Sequence, residues 1–459
     1  MYERSSLMTE GSVGKHILRF AIPIFWGNLF QQLYNVVDSL VVGNLLGSDA
    51  LAAVGSSGSI IFLLVGLFNG IFTGASVVIS RYYGARDEEN MRLAVHTSVG
   101  FGLLAGLLIT VIGVGLSPHL LRWMDTPETV LPNSLKYFRT YFSGAIFMVL
   151  YNTAAGIFQA LGDSRHPLYY LIVSSMTNVV LDILFIAAFG MGVEGAALAT
   201  VISQALSTVL AFRTLIHSSG PTRVWPRKVC LHPRLLRELL VMGIPAGVQN
   251  SIISLANIVV QSSINLYGAA AMAGCGAYTK IEGFAFLPVT SCSIAVSTFV
   301  GQNLGAREYA RARRGSLMAI MAAMIMAECT GVLFNLFSPN LIALFSSDPA
   351  VIANGVLQAR TTTPFYFLMA FSHGVAGTLR GAGRAIVPML VMMICWCFIR
   401  VSYIMLIARA SDNLRMIFWA YPLTWALSSI AFLVYYLKAD WPHYLDKKAA
   451  QAKQQEAAA

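Results

Sequence analysis

The chain has 459 residues, of which 56% are hydrophobic and only 11% charged, with a formal net charge of +10. Soluble domains carry about 25% charged residues, so this composition excludes a soluble enzyme and indicates an integral membrane protein. The basic excess then reads as a signal of membrane sidedness, and no nucleic-acid partner is expected.

Met1 to Lys15 is polar, and the apolar run after it is too long for the core of a cleavable signal peptide. Hydropathy predicts six spanning helices in the first half, near 16–42, 51–79, 92–116, 133–160, 167–189 and 193–216. Six more follow near 236–266, 270–300, 314–337, 354–379, 386–408 and 415–437. The period-2 alternation of barrel strands is not seen, so the expected fold class is all-α integral membrane, with twelve transmembrane helices in two pseudo-symmetric six-helix lobes. The expected domains are a first lobe at 1–217, a linker at 218–235, a second lobe at 236–440 and a polar tail at 441–459. The linker opens on the breaker cluster Ser218-Ser219-Gly220-Pro221.

Placing the N-terminus inside puts 23 Lys and Arg on the cytoplasmic side and 6 on the other. That bias predicts a multi-pass protein of the cytoplasmic (inner) membrane with both termini in the cytoplasm. Trp123, Tyr141, Trp419, Tyr435 and Trp441 lie near predicted helix ends and fit an interfacial aromatic belt. The 6 cysteines fit neither a disulfide framework nor a zinc site, and apolar packing accounts for them.

In the first span Pro23 removes a backbone donor and favours a bend. Tyr34, Asn35 and Asp38 follow it. Asp182 sits in the fifth span, with Asn178 one turn away on the same face, and Thr200 in the sixth. At 1.5 Å per residue, Asp38, Asp182, Asn178 and Thr200 fall at one depth. A carboxylate inside a bilayer costs roughly 2.5–3.5 kcal/mol, so two of them need a reason. At about 5 Å and an effective dielectric near 20 they repel by about 3.3 kcal/mol. Such a pair takes up a proton or recruits a cation. Na⁺ held by Asp38, Asp182, Asn178 and Thr200 and a shared H⁺ are both consistent with these residues. The bland alternative is a static polar knot joining three helices.

The two halves repeat. Ala21-Ile22-Pro23 recurs as Gly243-Ile244-Pro245, Asn28 as Asn250 and Asn35 as Asn257, at an offset of 222. Gly84-Ala85-Arg86 recurs as Gly305-Ala306-Arg307, Ser117-Pro118 as Ser338-Pro339, and Pro167 as Pro388, at 221. An even number of helices per half makes this a parallel repeat, as in some secondary transporters. The acid pair does not repeat, since Val260 aligns with Asp38. The second half instead offers Lys280, Glu282 and Arg400 as a candidate second site. A structural ion pair among them is the competing reading. Glu328 and His373 stand alone in their spans.

No phosphate-binding loop, metalloprotease motif, nucleophile elbow or selectivity filter is present in the sequence, so a non-enzymatic protein driven by an ion gradient is expected. The motifs Asn35-Val36-Val37-Asp38, Tyr83-Gly84-Ala85-Arg86, Gln159-Ala160-Leu161-Gly162-Asp163 and Asn178-Val179-Val180-Leu181-Asp182 mark the first half. Tyr278-Thr279-Lys280-Ile281-Glu282, Pro288 and Val300-Gly301-Gln302-Asn303-Leu304-Gly305 mark the second. Together they resemble the multidrug and toxic compound extrusion (MATE) family over residues 12–440.

The resemblance implies a secondary active antiporter, not an enzyme. It would export organic cationic or amphiphilic small molecules in exchange for H⁺ or Na⁺ by alternating access, as a monomer with no cofactor beyond the coupling ion. It implies that Asp38, Asp182, Asn178 and Thr200 bind that ion, and that Pro23 and Tyr34 serve bending of the first helix, beside Asn35. A branch of the family also uses acids in the seventh and tenth helices; here the seventh has only Glu238, at its inner edge, and the tenth has none. The alternatives are a flippase for lipid-linked precursors, for which only Lys280 and Arg400 offer a basic lining, and a channel.

Overall fold

The computed structural model describes residues 7–123, 130–220, 222–408 and 413–447, with 128, 410–411, 450 and 454 besides. Pro221 of the breaker cluster, Arg4, Arg409, Lys448 and Lys453 of the charge count, the side chain of Trp123 and most of the tail after 447 lie outside the described residues.

Among the described residues there is no strand, and the helical segments follow one another as twelve rods. The first six are α1 (Val13–Leu46), α2 (Ser48–Gly84), α3 (Glu88–Trp123), α4 (Leu131–Ser143 with Ala145–Ala160), α5 (Arg165–Ile183, extended by Leu184–Ala188) and α6 (Val193–His217). The second six are α7 (Pro233–Asn265), α8 (Ala269–Gly305), α9 (Tyr309–Ala343), α10 (Pro349–Thr362 through Tyr366–Gly381), α11 (Ile386–Met392 through Ile404–Ala408) and α12 (Leu414–Lys438). Eight of these helices are long and apolar enough on their own to cross a bilayer, and α4 makes a ninth when its two parts, bent by 47°, are taken together. The bend falls at Gly144, where a Cβ would sit 2.3 Å from Cγ1 of Val201 on α6. A side chain there would break the α4–α6 contact, so the sequence uses glycine and the helix yields.

The repeat appears as repeated backbone. Left-handed conformations occur at Gly47 (φ 88°) and Gly268 (91°), at Gly162 (79°) and Gly383 (80°), and at Arg86 (55°) and Arg307 (60°). Each pair is 221 residues apart. At the ends of α2 and α8 the same cap forms: Asp87 N–H donates to Tyr82 O at 3.0 Å, and Glu308 N–H to Asn303 O at 2.8 Å. Glycine usually fills this position, and an arginine there costs on the order of 1 kcal/mol.

Contacts divide the chain into two compact units, with boundaries inside α1 and α7. The first contains Trp26–Gly247, and the second contains Met8–Phe25 and Val248 onward. The start of α1 therefore packs in the second unit, where Ile17, Phe20 and Ile24 join Phe299, Ile320 and Phe432. The start of α7 packs in the first, with Leu235 and Leu239 against Val78, Ile79 and Tyr82. The compact units thus differ from the sequence halves by one half-helix each. Two belt expectations are corrected by packing. Trp441 is 1% exposed in the second unit's core, and Tyr141 packs inside the first unit. Trp419, 38% exposed, keeps a surface place.

Helices gain little from hydrophobic association in lipid, so small residues that let backbones touch carry the packing. Gly70 and Gly74 on α2 meet Gly243 and Gly247 on α7. A Cβ at Gly70 would lie 2.0 Å from Gly247 N, and one at Gly74 would lie 2.4 Å from Gly243 N. Both atoms are backbone and cannot rotate away. Gly70→Val is therefore expected to cost about 1–3 kcal/mol or more and to lower the melting temperature of the detergent-solubilised protein. Gly115→Ala, where nothing lies within 4 Å, is expected to change it little. Thermal-shift size-exclusion chromatography of both variants checks the difference.

Candidate functional site

The site lies wholly in the first unit, where the C-terminal part of α1 meets α4, α5 and α6. Tyr34 and Asp38 are four residues apart on α1, and Asn178 and Asp182 are four apart on α5, so each pair shares a helix face. Asp182 is 0% exposed and Asn178 2%. The Asp38 and Asp182 carboxyl groups are within hydrogen-bonding reach of each other. One oxygen of each, Oδ1, is buried without a partner. Among the described residues neither carboxyl forms an ion pair. The nearby Lys136 is engaged with Glu194 at 3.9 Å on the exposed side.

The Asn178 amide links this pair to α6. In one orientation its Nδ2 donates to the Thr200 hydroxyl at 3.3 Å. In the other, Nδ2 donates to Asp182 Oδ2 at 3.1 Å and Oδ1 accepts from Thr200 N–H at 3.3 Å. The second orientation satisfies both ends of the amide and is the physically sound one. The Thr200 hydroxyl donates to Ala196 O at 3.1 Å, which holds it against its own helix, while the Thr200 backbone N–H serves Asn178.

A small, partly open cavity, with room for about one water, lies beside the pair, lined by Tyr34, Asn178 and Thr200 and by Ser174, Ser175, Ser203 and Gln204. Ser175 Oγ, Ser203 Oγ and Gln204 Oε1 are buried there without a hydrogen-bond partner. Buried polar atoms are normally satisfied, so three orphans on one cavity wall mark space for polar guests. Asp182 also ends the regular part of α5. The next turn, Leu184–Ala188, is π-helical, a local widening often found at functional sites.

Five residues singled out in the sequence therefore meet: Asp38, Asp182, Asn178, Thr200 and Tyr34. Two others do not join them. Pro23 lies in the part of α1 that packs in the second unit, and Asn35 is exposed, its carbonyl accepting from Ser39 Oγ at 2.9 Å. Two residues the sequence did not reveal belong to the site. Tyr137 and Tyr141 on α4 stack at 6.2 Å, and Tyr137 feels the charges of Asp38, Asp182 and Tyr34. Their i, i+4 spacing was the available signal, but nothing in it said which helix they would face.

In the second unit, Glu282 and Arg400 lie within electrostatic reach of each other and of Tyr421, while Lys280 stands apart. Glu282 Oε1 accepts from Tyr278 and Tyr366 hydroxyls, each at 3.4 Å. Arg400 donates to Thr424 Oγ1 at 3.0 Å and to Asn257 Oδ1 at 3.4 Å, and lies 4.6 Å from the Tyr421 ring centroid. Lys280 is exposed, 5.7 Å from the Phe345 ring. No ion pair joins the three among the described residues.

The family model MatE matches the chain twice, at residues 23–184 and 245–406. The two matches start 222 positions apart, the offset of the repeat. This chain belongs to the MatE family. Among relatives, a probable multidrug resistance protein YoeA of Bacillus subtilis (strain 168) is 30% identical over 437 residues, covering 93% of this chain and 94% of its own length. The fold matches a crystal structure of MATE in the bent conformation with a TM-score of 0.90 at 24% identity, covering 98% and 100% of the two chains. The straight conformation matches with 0.89 at 24%, covering 95% and 97%. The chain is accordingly a multi-pass transporter of the family, and its twelve helices are that fold.

The amide of Asn178 is the donor that holds Asp182 in register with Thr200. Asn178→Ala leaves that carboxylate oxygen buried without a donor, a loss of about 1–3 kcal/mol at the site. Transport by Asn178→Ala is expected to fall at least about tenfold, and by Thr200→Ser, which keeps the hydroxyl, far less. Initial efflux rates at matched protein content measure both.

Proposed function

We propose that this protein exports organic cationic or amphiphilic compounds in exchange for an inward-moving cation, and that the Asp38–Asp182 pair carries that cation. One observation supports the reading most: two carboxyl groups in mutual contact, in a buried setting, with no ion-paired basic residue among the described residues. Two ionised carboxylates cannot rest at hydrogen-bond distance in a low dielectric, so the pair holds a positive charge between them.

A proton fits the carboxyl–carboxyl contact directly, because a hydrogen bond between two carboxyl groups contains one. Na⁺ is the second reading, supported by the neutral oxygens of Asn178 and Thr200 beside the acids. Either ion supplies about 2.3 kcal/mol per charge for each 100 mV it crosses. Tyr34 on α1 lines the same cavity as α5 and α6 residues, so a change in the bend of α1 changes the volume of that cavity. Pro23 lies in the turns of α1 before the site and is the natural hinge. Binding of the ion, bending of α1 and loss of cavity volume then form one step, and release of the exported compound follows it. The excess of basic residues on one side supports a reading with both termini in the cytoplasm and the protein in the inner membrane.

Proteoliposomes loaded with a cationic dye and given either a pH gradient or a sodium gradient alone test this reading. Wild type is expected to respond to one gradient. Asp38→Asn and Asp182→Asn are each expected to fall to the level of empty liposomes while inserting and eluting normally. Undiminished gradient-driven efflux in either variant would overturn the assignment of the pair.

A further inference from the structure

The second unit contains a charge that the acid pair does not explain. Arg380 lies in the last turn of α10, half-buried, and donates from Nη2 to Ser293 Oγ on α8 at 3.0 Å. Ser293 in turn donates to His373 O at 2.8 Å. A guanidinium has five N–H groups, and Ser293 accepts from one of them. Its Nε is buried without an acceptor, and two further polar atoms in the same α8–α10 seam are orphaned, His373 Nε2 and Ser297 Oγ.

The two helices approach closely along this seam. A Cβ at Gly377 would lie 2.5 Å from Ser293 O, and one at Gly381 would lie 2.4 Å from Ser297 O, so the two backbones are already in contact. Among the described residues no carboxylate pairs with Arg380, and none acts on it electrostatically. The repeat provides an internal control: the position 221 residues earlier is Gln159, which is neutral. The half-buried His373 and Phe286 rings, edge-on at 6.1 Å, offer aromatic surface beside the seam, backed by the buried Trp396 at 5.4 Å from His373. A cation without a counter-charge, beside orphaned polar atoms and aromatic rings, is complementary to an anion attached to an aromatic body.

We propose that Arg380, with Ser293, Ser297 and His373, forms an anion subsite in the second unit that takes the carboxylate of an aromatic amphiphilic compound. This deepens the export reading and rests on it: the substrates would include carboxylate-bearing compounds besides simple cations. Arg380 supplies the charge, Ser293 orients the guanidinium, and the rings hold the apolar part.

Binding by the purified full-length protein tests this without any gradient. The probes are 2-naphthoate, its methyl ester and tetraphenylphosphonium, titrated calorimetrically against wild type, Arg380→Gln and Arg380→Lys. Naphthoate affinity is expected to drop at least about tenfold in Arg380→Gln and less in Arg380→Lys, with the ester and the phosphonium unchanged in both. Equal weakening of acid and ester would show that Arg380 only supports packing and would overturn the subsite. So would naphthoate binding that ignores the substitution, or an Arg380-dependent effect seen with chloride alone. Size-exclusion profiles exclude misfolding, and Arg380→Lys keeps the test open if Arg380→Gln fails to fold. Loss of ion-driven efflux in Asp38→Asn leaves these binding results untouched, so the two readings fail separately.

Discussion

Everything in the first unit is arranged around one unfavourable contact, that of two carboxyl groups in a place poor in water. Left ionised, the pair would push α1 and α5 apart. Holding a cation, it draws them together. The amide of Asn178, itself held by the backbone N–H of Thr200, keeps Asp182 in place, and Tyr34 lines the same cavity. The π-helical turn after Asp182 gives α5 room to do this without losing its packing on α6. A membrane interior magnifies such a contact, because little else is available to offset it.

The repeat shows how one plan can carry two chemistries. The turns at Gly47 and Gly268, Arg86 and Arg307, and Gly162 and Gly383 are the same backbone built twice. The side chains in the interior are not. Asp38 has Val260 as its counterpart, 1% exposed and packed in an apolar cluster. Gln159 has Arg380 as its counterpart. The first unit thus buries negative charge and the second buries positive charge, on scaffolds of the same design. Glu282, clamped by two tyrosine hydroxyls, tempers this contrast without pairing to Arg400.

The spans and the repeat were legible in the sequence because both rest on patterns that burial cannot rearrange: apolar runs of bilayer length, and glycine or proline where the backbone demands them. The convergence of Asp38, Asp182, Asn178 and Thr200 was legible for a related reason. Acids inside lipid have few alternatives to meeting each other, and depth along a helix can be counted. Rotation about the helix axis cannot be counted in this way. Tyr137 and Tyr141 were therefore missed at the site, and Trp441 was placed at the interface although it is buried. The division of α1 and α7 between the units was also hidden. It depends on glycine faces meeting across helices, and the spacing of Gly70, Gly74, Gly243 and Gly247 does not name its partner. Of the three charged residues of the second half read as one candidate, Glu282 and Arg400 act on each other without an ion pair, and Lys280 lies exposed and apart.

The left-handed arginines carry a meaning of their own. Glycine would fit Arg86 and Arg307 with less strain, yet a cation stands at both places, each time at the end of a long apolar helix. What glycine could not supply there is a fixed positive charge at the moment the helix enters the bilayer. Charged residues at helix ends resist passage through a bilayer, so a backbone strain of about 1 kcal/mol at each site goes with a residue that favours one orientation of α2 and α8.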